Sequence, residues 1–552
     1  MLLRKETDHM GIYLNSMSPY TLYKSEVNSP YFVDKSQMLK ELIPLVEVGN
    51  RHVCVTRPRR FGKTVMANMI GAFFGKDVDA DDVFDFLKIA EFPDYKNHLN
   101  QYNTIYIDFS VVDDECTSYK EYIDTIKEIL KIDLEQKYPE ITFRRGSSVR
   151  EDLQRIFAER NERFVFVFDE WDSVFHMPFI TEKDKQSYLL FLKGLLKDKP
   201  YVALAYMTGI LPIAKYSSGS ELNMFVEYTM ASEFKFGNAF GFSDAEVDML
   251  YNRYCKIREE RNEVINISRE GLREWYDGYF TKDGERMYNP RSVVMALENN
   301  NLSSYWTSSG PYDEIFYYVN HNIADVRNDL VVMITGEGVK AKIQEYAATS
   351  MNLTTRDEIL SAMVVYGFLS YYNGKVYIPN KELMDKFDEM IQKEASLGYV
   401  YRLAKESERM LEATLYGDTE TMETILSYVH NTETPILSYN NEIELSAIVN
   451  LAYLAARDRY RVEREDKSGK GYVDFIFYPV DKTDTCIILE LKVDHTPEEA
   501  IQQIKDKEYI LRFLGKLGEE PKYTGEILGV GISYNKETKV HKCKIEILRN
   551  RI

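Results

Sequence analysis

One eight-residue run, Arg57-Pro58-Arg59-Arg60-Phe61-Gly62-Lys63-Thr64, sets a glycine, a lysine and a hydroxyl in the order that grips phosphate. Backbone N–H groups of such a loop, and of the helix that follows, attract phosphate oxygens. Lys63 would reach the β- and γ-phosphates, and the Thr64 hydroxyl would ligate Mg²⁺. Arg59 and Arg60 are placed equally well on the phosphates, on a partner or in solvent. The usual loop begins with glycine, and Arg57 stands in its place. A basic surface loop that binds no nucleotide is the alternative.

About 105 residues on, Phe164-Val165-Phe166-Val167-Phe168 ends in Asp169-Glu170. An apolar strand ending in two acids is the form of a Walker B element. Asp169 would hold Mg²⁺ through water, and Glu170 would polarise the attacking water. The alternative is a solvated acidic turn, because Asp172 follows. Met207-Thr208-Gly209 ends the next apolar strand. Thr208 is a candidate sensor of the γ-phosphate, or simply caps its strand.

A second cluster lies near the C-terminal end. Asp474 sits in Tyr472-Val473-Asp474-Phe475-Ile476-Phe477-Tyr478, and Glu490 and Lys492 sit in Cys486-Ile487-Ile488-Leu489-Glu490-Leu491-Lys492. Residues two apart share one face of a strand. Two same-face charges in an otherwise apolar strand need a reason. Two acids and a lysine suit phosphodiester hydrolysis assisted by a divalent metal. Glu442 on the preceding helix is a candidate third acid. Gln503 and Tyr509 on the following helical stretch could support the site. A structural Glu490–Lys492 ion pair is the alternative.

The elements that must position these groups follow from the pattern of apolar residues. Strands are expected at 52–56, 104–109, 164–168 and 201–207, with helices near 63–75, 117–137, 148–160 and 183–198. Continuous apolar strands alternating with helices imply a parallel sheet covered on both faces. Residues 243–435 read as amphipathic helices, with a winged hairpin around Lys375-Val376-Tyr377-Ile378. After 440 a helix (441–459), strands (461–465, 472–478, 485–491), a helical stretch (497–515) and strands (525–533, 541–548) make a compact α/β unit.

The chain has 552 residues, 44% of them apolar, 28% charged and 13% aromatic, with 41 tyrosines. That is two to four domains of an ordinary globular protein. No apolar stretch is long enough to cross a membrane. The start of the chain lacks the apolar core of a secretory signal. Five cysteines far apart argue against zinc or disulfides and fit a reducing cytoplasm. A net charge of −19 argues against a protein that coats nucleic acid by bulk electrostatics. Residues 441–552 hold 19 basic and 20 acidic residues, net −1, so a local basic groove there stays open.

Several stretches resemble the AAA-ATPase-like family of bacterial proteins: Tyr31-Phe32-Val33-Asp34-Lys35, Arg57 to Thr64, Asp169-Glu170, Phe240-Gly241-Phe242-Ser243, Trp275-Tyr276-Asp277-Gly278-Tyr279 and Tyr288-Asn289-Pro290. The resemblance implies that Arg57 in place of glycine is a family trait. Asp474, Glu490-Leu491-Lys492 and Gln503 to Tyr509 resemble the PD-(D/E)xK nuclease superfamily, the usual C-terminal companion. Two departures stand out: Tyr472 where that superfamily usually has arginine, and Ser446 where a histidine often follows the helix glutamate.

The expected architecture is therefore α/β, in three parts. They are a P-loop NTPase parallel sheet (1–240), a helical middle with a winged-helix element (241–435) and a restriction-endonuclease-like domain (436–552). The expected cofactors are ATP and Mg²⁺, held by Arg59, Arg60, Phe61, Gly62, Lys63, Thr64, Asp169 and Thr208, with Glu170 catalytic. Asp474, Glu490 and Lys492 form the nuclease-like site, with Glu442 as a further metal ligand. Expected partners are ATP and DNA, with self-association open, in the cytoplasm and without a membrane. The alternative is a nucleotide-dependent binder of nucleic acid or protein with an inactive nuclease fold.

Overall fold

A computed structural model describes residues 11–213, 221–230, 235–306, 326–334, 338–343, 353, 355–393, 398–431, 459–468, 471–513 and 522–551, with scattered positions between 445 and 456. Two compact units emerge, one of Met1–Val326 with Gly338–Asp385, the other of Arg327–Glu337 with Lys386–Ile552. Residues expected as a separate middle region, 241–435, are thus shared between them.

The first unit is built on five parallel strands: β1 (His52–Thr56), β2 (Asn103–Asp108), β3 (Phe164–Asp169), β4 (Val202–Gly209) and β5 (Val226–Tyr228). They lie in the order β2-β3-β4-β1-β5. Every residue of β1, β3 and β4 is buried, as a sheet covered on both faces requires. Alternate side chains enter opposite cores. Cys54, Phe166 and Phe168 pack under the helices Tyr119–Lys137, Val149–Arg160 and Glu182–Leu196, while Val53, Val55, Val165 and Val167 pack under Lys63–Phe74. The short edge strand β5 has no counterpart in the sequence pattern.

Arg57, the residue in the glycine's place, is almost completely buried. Its guanidinium donates to the carbonyls of Thr56 (2.8 Å), Tyr228 (2.8 Å) and Phe236 (2.9 Å) and stacks over Phe240. One side chain thus ties the end of β1 to β5 and to the segment beyond it.

The rest of this unit surrounds the loop. The helices Asp244–Glu260, Arg269–Tyr276 and Pro290–Asn299 enclose a small core around Val247, Leu272 and Val293. A two-residue pair, β6 (Tyr279–Phe280) and β7 (Arg286–Met287), is followed by a three-stranded sheet of β8 (Val339–Lys340), β9 (Ser370–Tyr372) and β10 (Lys375–Tyr377). The β9–β10 hairpin is the expected wing, turning at Asn373-Gly374, both with left-handed φ (48° and 79°).

The second unit contains the helices Gly398–Tyr416 and Thr419–Asn431 and a mixed sheet. Its strands are β11 (Tyr460–Ser468), β12 (Gly471–Pro479), β13 (Cys486–Val493), β14 (Ile527–Asn535) and β15 (Val540–Arg549), in sequential order. β13 and β14 run parallel, joined across the helix Pro497–Asp506, and the other neighbours are antiparallel. Most of the expected helix 441–459, Glu442 included, lies outside the described residues.

Replacing Arg57 by glycine leaves three carbonyls without their donor. Arg57→Gly is expected to cost the first unit at least about 3 kcal/mol, read as a lower midpoint of chemical unfolding. An unchanged midpoint would show that the guanidinium network carries no stability.

Candidate functional site

In an open parallel sheet, the carboxyl ends of the strands form one rim. Here β1 delivers the loop, β3 delivers Asp169-Glu170, and β4 lies between them. Gly62 (φ 85°) and Arg60 (φ 69°) turn the loop through left-handed backbone into the helix Lys63–Phe74. That helix has no side-chain N-cap and no acid in its first turn. Its first N–H groups therefore suit an anion. Lys63 Nζ, nearly buried, donates to the Pro58 carbonyl (3.2 Å) and lies 3.9 Å from Glu170 Oε1.

Asp169 is fully buried. Burial raises its pKa to about 7, with the Glu170 and Asp108 carboxylates adding to the rise and the Thr64 hydroxyl and Lys63 opposing it. Oδ1 accepts from the Glu170 N–H (3.0 Å), while Oδ2 has no hydrogen-bond partner. A buried carboxylate oxygen left unpaired beside a hydroxyl and a lysine fits a divalent cation. Glu170 has left-handed backbone (φ 48°), a conformation that costs a non-glycine residue roughly 1–2 kcal/mol and concentrates at functional sites. Its side chain is only partly buried and reaches the cavity.

That cavity, about 630 Å³, is lined by the loop, Asp108 and Glu170 together with Tyr31, Phe32 and Phe242. Tyr31, Phe32, Val33 and Lys35 of the stretch picked out by sequence line this space with the loop, as do Arg59 and Arg60. Thr208 does not line it. Its hydroxyl is fully buried and donates to the Val55 carbonyl (2.9 Å), latching β4 to β1.

Asp172, which the alternative reading placed in a solvated turn, is buried. Its Oδ2 accepts from the N–H groups of Ile210 (3.1 Å) and Leu211 (2.8 Å), bracing the end of β4. Gly209 makes room for it, since a Cβ there would lie 2.3 Å from Asp172 Oδ1. Sequence reasoning missed this role, and also Asp108, which pairs in register with Asp169. An acid closing a strand was the available signal for Asp108. Nothing local signals Asp172.

In the second unit, Asp474 and Glu490 each lie one residue beyond Phe475 and Leu489, the last pair of the β12–β13 ladder. Asp474 Oδ2 accepts from the Leu491 N–H (2.7 Å). Glu490 is almost fully buried, and its Oε1 accepts from Lys492 Nζ (3.4 Å) and from Gln503. Burial first, then the Asp474 carboxylate, push its pKa up to about 8, with Lys492 opposing. Oε2 is buried without a partner. Tyr509 lies close by, within reach of Gln503. Gly531 of β14 pairs with Glu490, and a Cβ there would lie 2.4 Å from the Pro497 carbonyl. Glycine thus lets the helix Pro497–Asp506 close on the sheet and bring Gln503 to Glu490.

The sequence-derived set Asp474, Glu490, Lys492, Gln503 and Tyr509 therefore comes together, and Glu442 lies outside the described residues. Among the described residues no group of three or more acids, histidines or cysteines gathers around one point. Two neighbouring carboxylates with one orphaned oxygen nevertheless fit a hard cation completed by water.

Residues 24–218 match the family described as predicted AAA-ATPase (AAA-ATPase-like), and residues 444–543 match the PD-(D/E)XK nuclease superfamily. The chain joins an AAA-ATPase-like domain to a PD-(D/E)XK nuclease-superfamily domain. The AAA-ATPase-like match takes in the loop and the Asp169-Glu170 pair, and the nuclease-superfamily match takes in Asp474, Glu490 and Lys492. A curated relative, the "uncharacterized protein in vnfD 5'region" of Azotobacter chroococcum mcd 1, is 25% identical over 289 residues, 51% of either protein. The chain thus spans about half the length of that relative. Among solved structures, the Walker-type ATPase paby2304 of Pyrococcus abyssi is 12% identical, covering 64% of this chain and 93% of its own, with a TM-score of 0.34. The Aeropyrum pernix ORC2 protein is 12% identical, covering 68% and 94%, with a TM-score of 0.31.

Asp172 gives the site a pH signature. Its pKa rises from 3.8 to about 6 in the folded protein, chiefly through burial. The folded state then holds this proton more tightly than the unfolded chain. The resulting stability is fully present below pH 4 and is lost as pH rises through about 6, on the order of 2–3 kcal/mol. Asp172→Asn is expected to flatten that part of the stability–pH curve. A variant curve parallel to the wild type would contradict the assignment.

Proposed function

We propose that the protein binds and hydrolyses ATP in the first unit, and that nucleotide state controls a metal-dependent nuclease-like module in the second. The observation that carries the first half is the buried Asp169 carboxylate beside Thr64, beneath the loop that holds Lys63. In this reading the loop N–H groups and Lys63 hold the β- and γ-phosphates. Thr64 and Asp169 hold Mg²⁺, which when bound neutralises charge on the transferred phosphoryl group. Glu170 orients the attacking water and takes its proton. Arg59 and Arg60 balance the remaining phosphate charge, and the Tyr31–Phe32 wall takes the base. Thr208, its hydroxyl held by Val55, acts by fixing β4 between the two catalytic strands.

In the second unit Asp474 and Glu490 hold the metal, which when bound supplies an activated water to a phosphodiester. Lys492 steers that water, and Gln503 keeps the Glu490 carboxylate in place. DNA is the proposed substrate, the cytoplasm the proposed location, and self-association remains part of the proposal. A second reading rests on Tyr472 and Ser446, which stand where the superfamily usually has arginine and histidine. There the C-terminal fold grips nucleic acid or protein and does not cut.

Phosphate release measured on the full chain tests the first half. Lys63→Ala is expected to abolish ATP binding, and Glu170→Gln to retain binding while slowing turnover at least about 100-fold. Turnover that survives Lys63→Ala would remove the site. For the second half, duplex DNA is incubated with Mg²⁺ or Mn²⁺. Cleavage lost in Glu490→Ala and in Lys492→Ala is expected, and cleavage indifferent to both would discard the assignment. Titration that shows no Mg²⁺ or Mn²⁺ binding at this site would favour the binder.

A further inference from the structure

The phosphate loop is held from outside by a ring of contacts that the nucleotide reading does not use. Trp306 Nε1 donates to the Arg59 carbonyl (3.4 Å), and Asn289 Nδ2 donates to the same oxygen (3.5 Å). The Gly241 N–H reaches the Phe61 carbonyl (3.5 Å), and Tyr279 packs edge-on against the Phe61 ring. Gly367 lies against Pro58, so closely that a Cβ there would fall 2.7 Å from Pro58 Cβ. The Tyr279 hydroxyl donates to the Gly367 carbonyl (3.0 Å).

These contacts are themselves anchored by one buried carboxylate. Glu382, 1% exposed, accepts from the N–H groups of Tyr305 and Trp306 through Oε1 and from the Ser292 hydroxyl (2.8 Å) through Oε2. Ser292 sits in the first turn of the helix that Asn289 caps. The bonds therefore close a cycle: Glu382 to Trp306, Trp306 to the Arg59 carbonyl, that carbonyl to Asn289, and the Asn289 helix back to Glu382.

A planar trans peptide points its C=O and N–H in opposite directions. Donors that fix the Arg59 carbonyl on the outer side turn the Arg60 N–H the other way. The bond from Gly241 to the Phe61 carbonyl does the same for the Gly62 N–H. A loop with left-handed residues at Arg60 and Gly62 has no regular ladder to set those directions itself. Groups aimed before the ligand arrives cost no reorganisation on binding.

We propose that Trp306 and Asn289, locked by Glu382, are positioning residues that preset the phosphate-loop N–H groups for a nucleotide triphosphate. The proposal rests on the ATP reading above. The interaction would act on ground state and transition state alike, so it lowers KM without changing kcat.

The test is ATP turnover, together with equilibrium titration of a non-hydrolysable ATP analogue, on the full chain. Trp306→Phe keeps an aromatic ring against Phe368 and removes the indole N–H, together with some buried ring volume. Asn289→Ser keeps a helix cap and shortens the donor beyond reach. Each is expected to raise KM and weaken the analogue by about three- to tenfold, with kcat within about twofold and the protein still fully folded at the assay temperature. Glu382→Gln, whose carbonyl oxygen still accepts from the Tyr305 and Trp306 N–H groups and whose amide N–H can donate to the Ser292 hydroxyl oxygen in the reverse sense, is expected to match the wild type, whereas Glu382→Ala raises KM. Unchanged KM in Trp306→Phe and Asn289→Ser overturns the proposal while leaving ATP binding intact. So does a loss confined to kcat, or a KM rise that tracks partial unfolding at the assay temperature. Wild-type protein that binds no analogue overturns the nucleotide reading and this proposal together.

Discussion

Asp169 sets the terms for the first unit. A carboxylate with one oxygen unpaired, fully buried at the end of a central strand, carries a desolvation cost that the fold does not recover within itself. The surrounding protein is arranged around that group. Strand order places β4 between β1 and β3, so the loop and Asp169 meet across the latch that Thr208 makes to Val55. Asp172, one turn on, is buried to hold the end of β4 in position. The strained backbone of Glu170 turns its side chain toward the cavity instead of into the core.

The departure at Arg57 is explained by the same architecture. A glycine at the first position of a phosphate loop permits a tight turn. Here an arginine side chain leaves the loop backbone and binds three carbonyls behind it. The loop is therefore supported from behind by Arg57 and from outside by Trp306, Asn289 and Gly367. In the second unit, a glycine performs the comparable service. Gly531 admits the helix that carries Gln503, and so determines which group faces Glu490.

Much of this was legible in sequence where the signal is local. Continuous apolar strands named β1 to β4 within a residue or two, because burial on both faces leaves no polar alternation to confuse. The period-two spacing of Glu490 and Lys492 put them on one face, and the β12–β13 register brought Asp474 close to Glu490. What sequence did not yield depends on long-range pairing. Asp172 reads as a solvated acid until its two partners, 38 and 39 residues on, are known. Thr208 reads as a sensor until Val55, 153 residues away, claims its hydroxyl. The short strand β5 has too few residues to carry a pattern, and exists because Val53 to Val55 offer it an edge.

The most direct measurement is calorimetric titration of ATP into the full chain, once with Mg²⁺ and once with EDTA, for the wild type and Asp169→Asn. If the orphaned Asp169 oxygen belongs to a metal-bound nucleotide, Mg²⁺ tightens ATP binding to the wild type at least about tenfold, and Asp169→Asn loses that gain while still binding ATP in EDTA. Wild-type affinity that is the same with and without Mg²⁺, or a Mg²⁺ gain that survives Asp169→Asn, would contradict it.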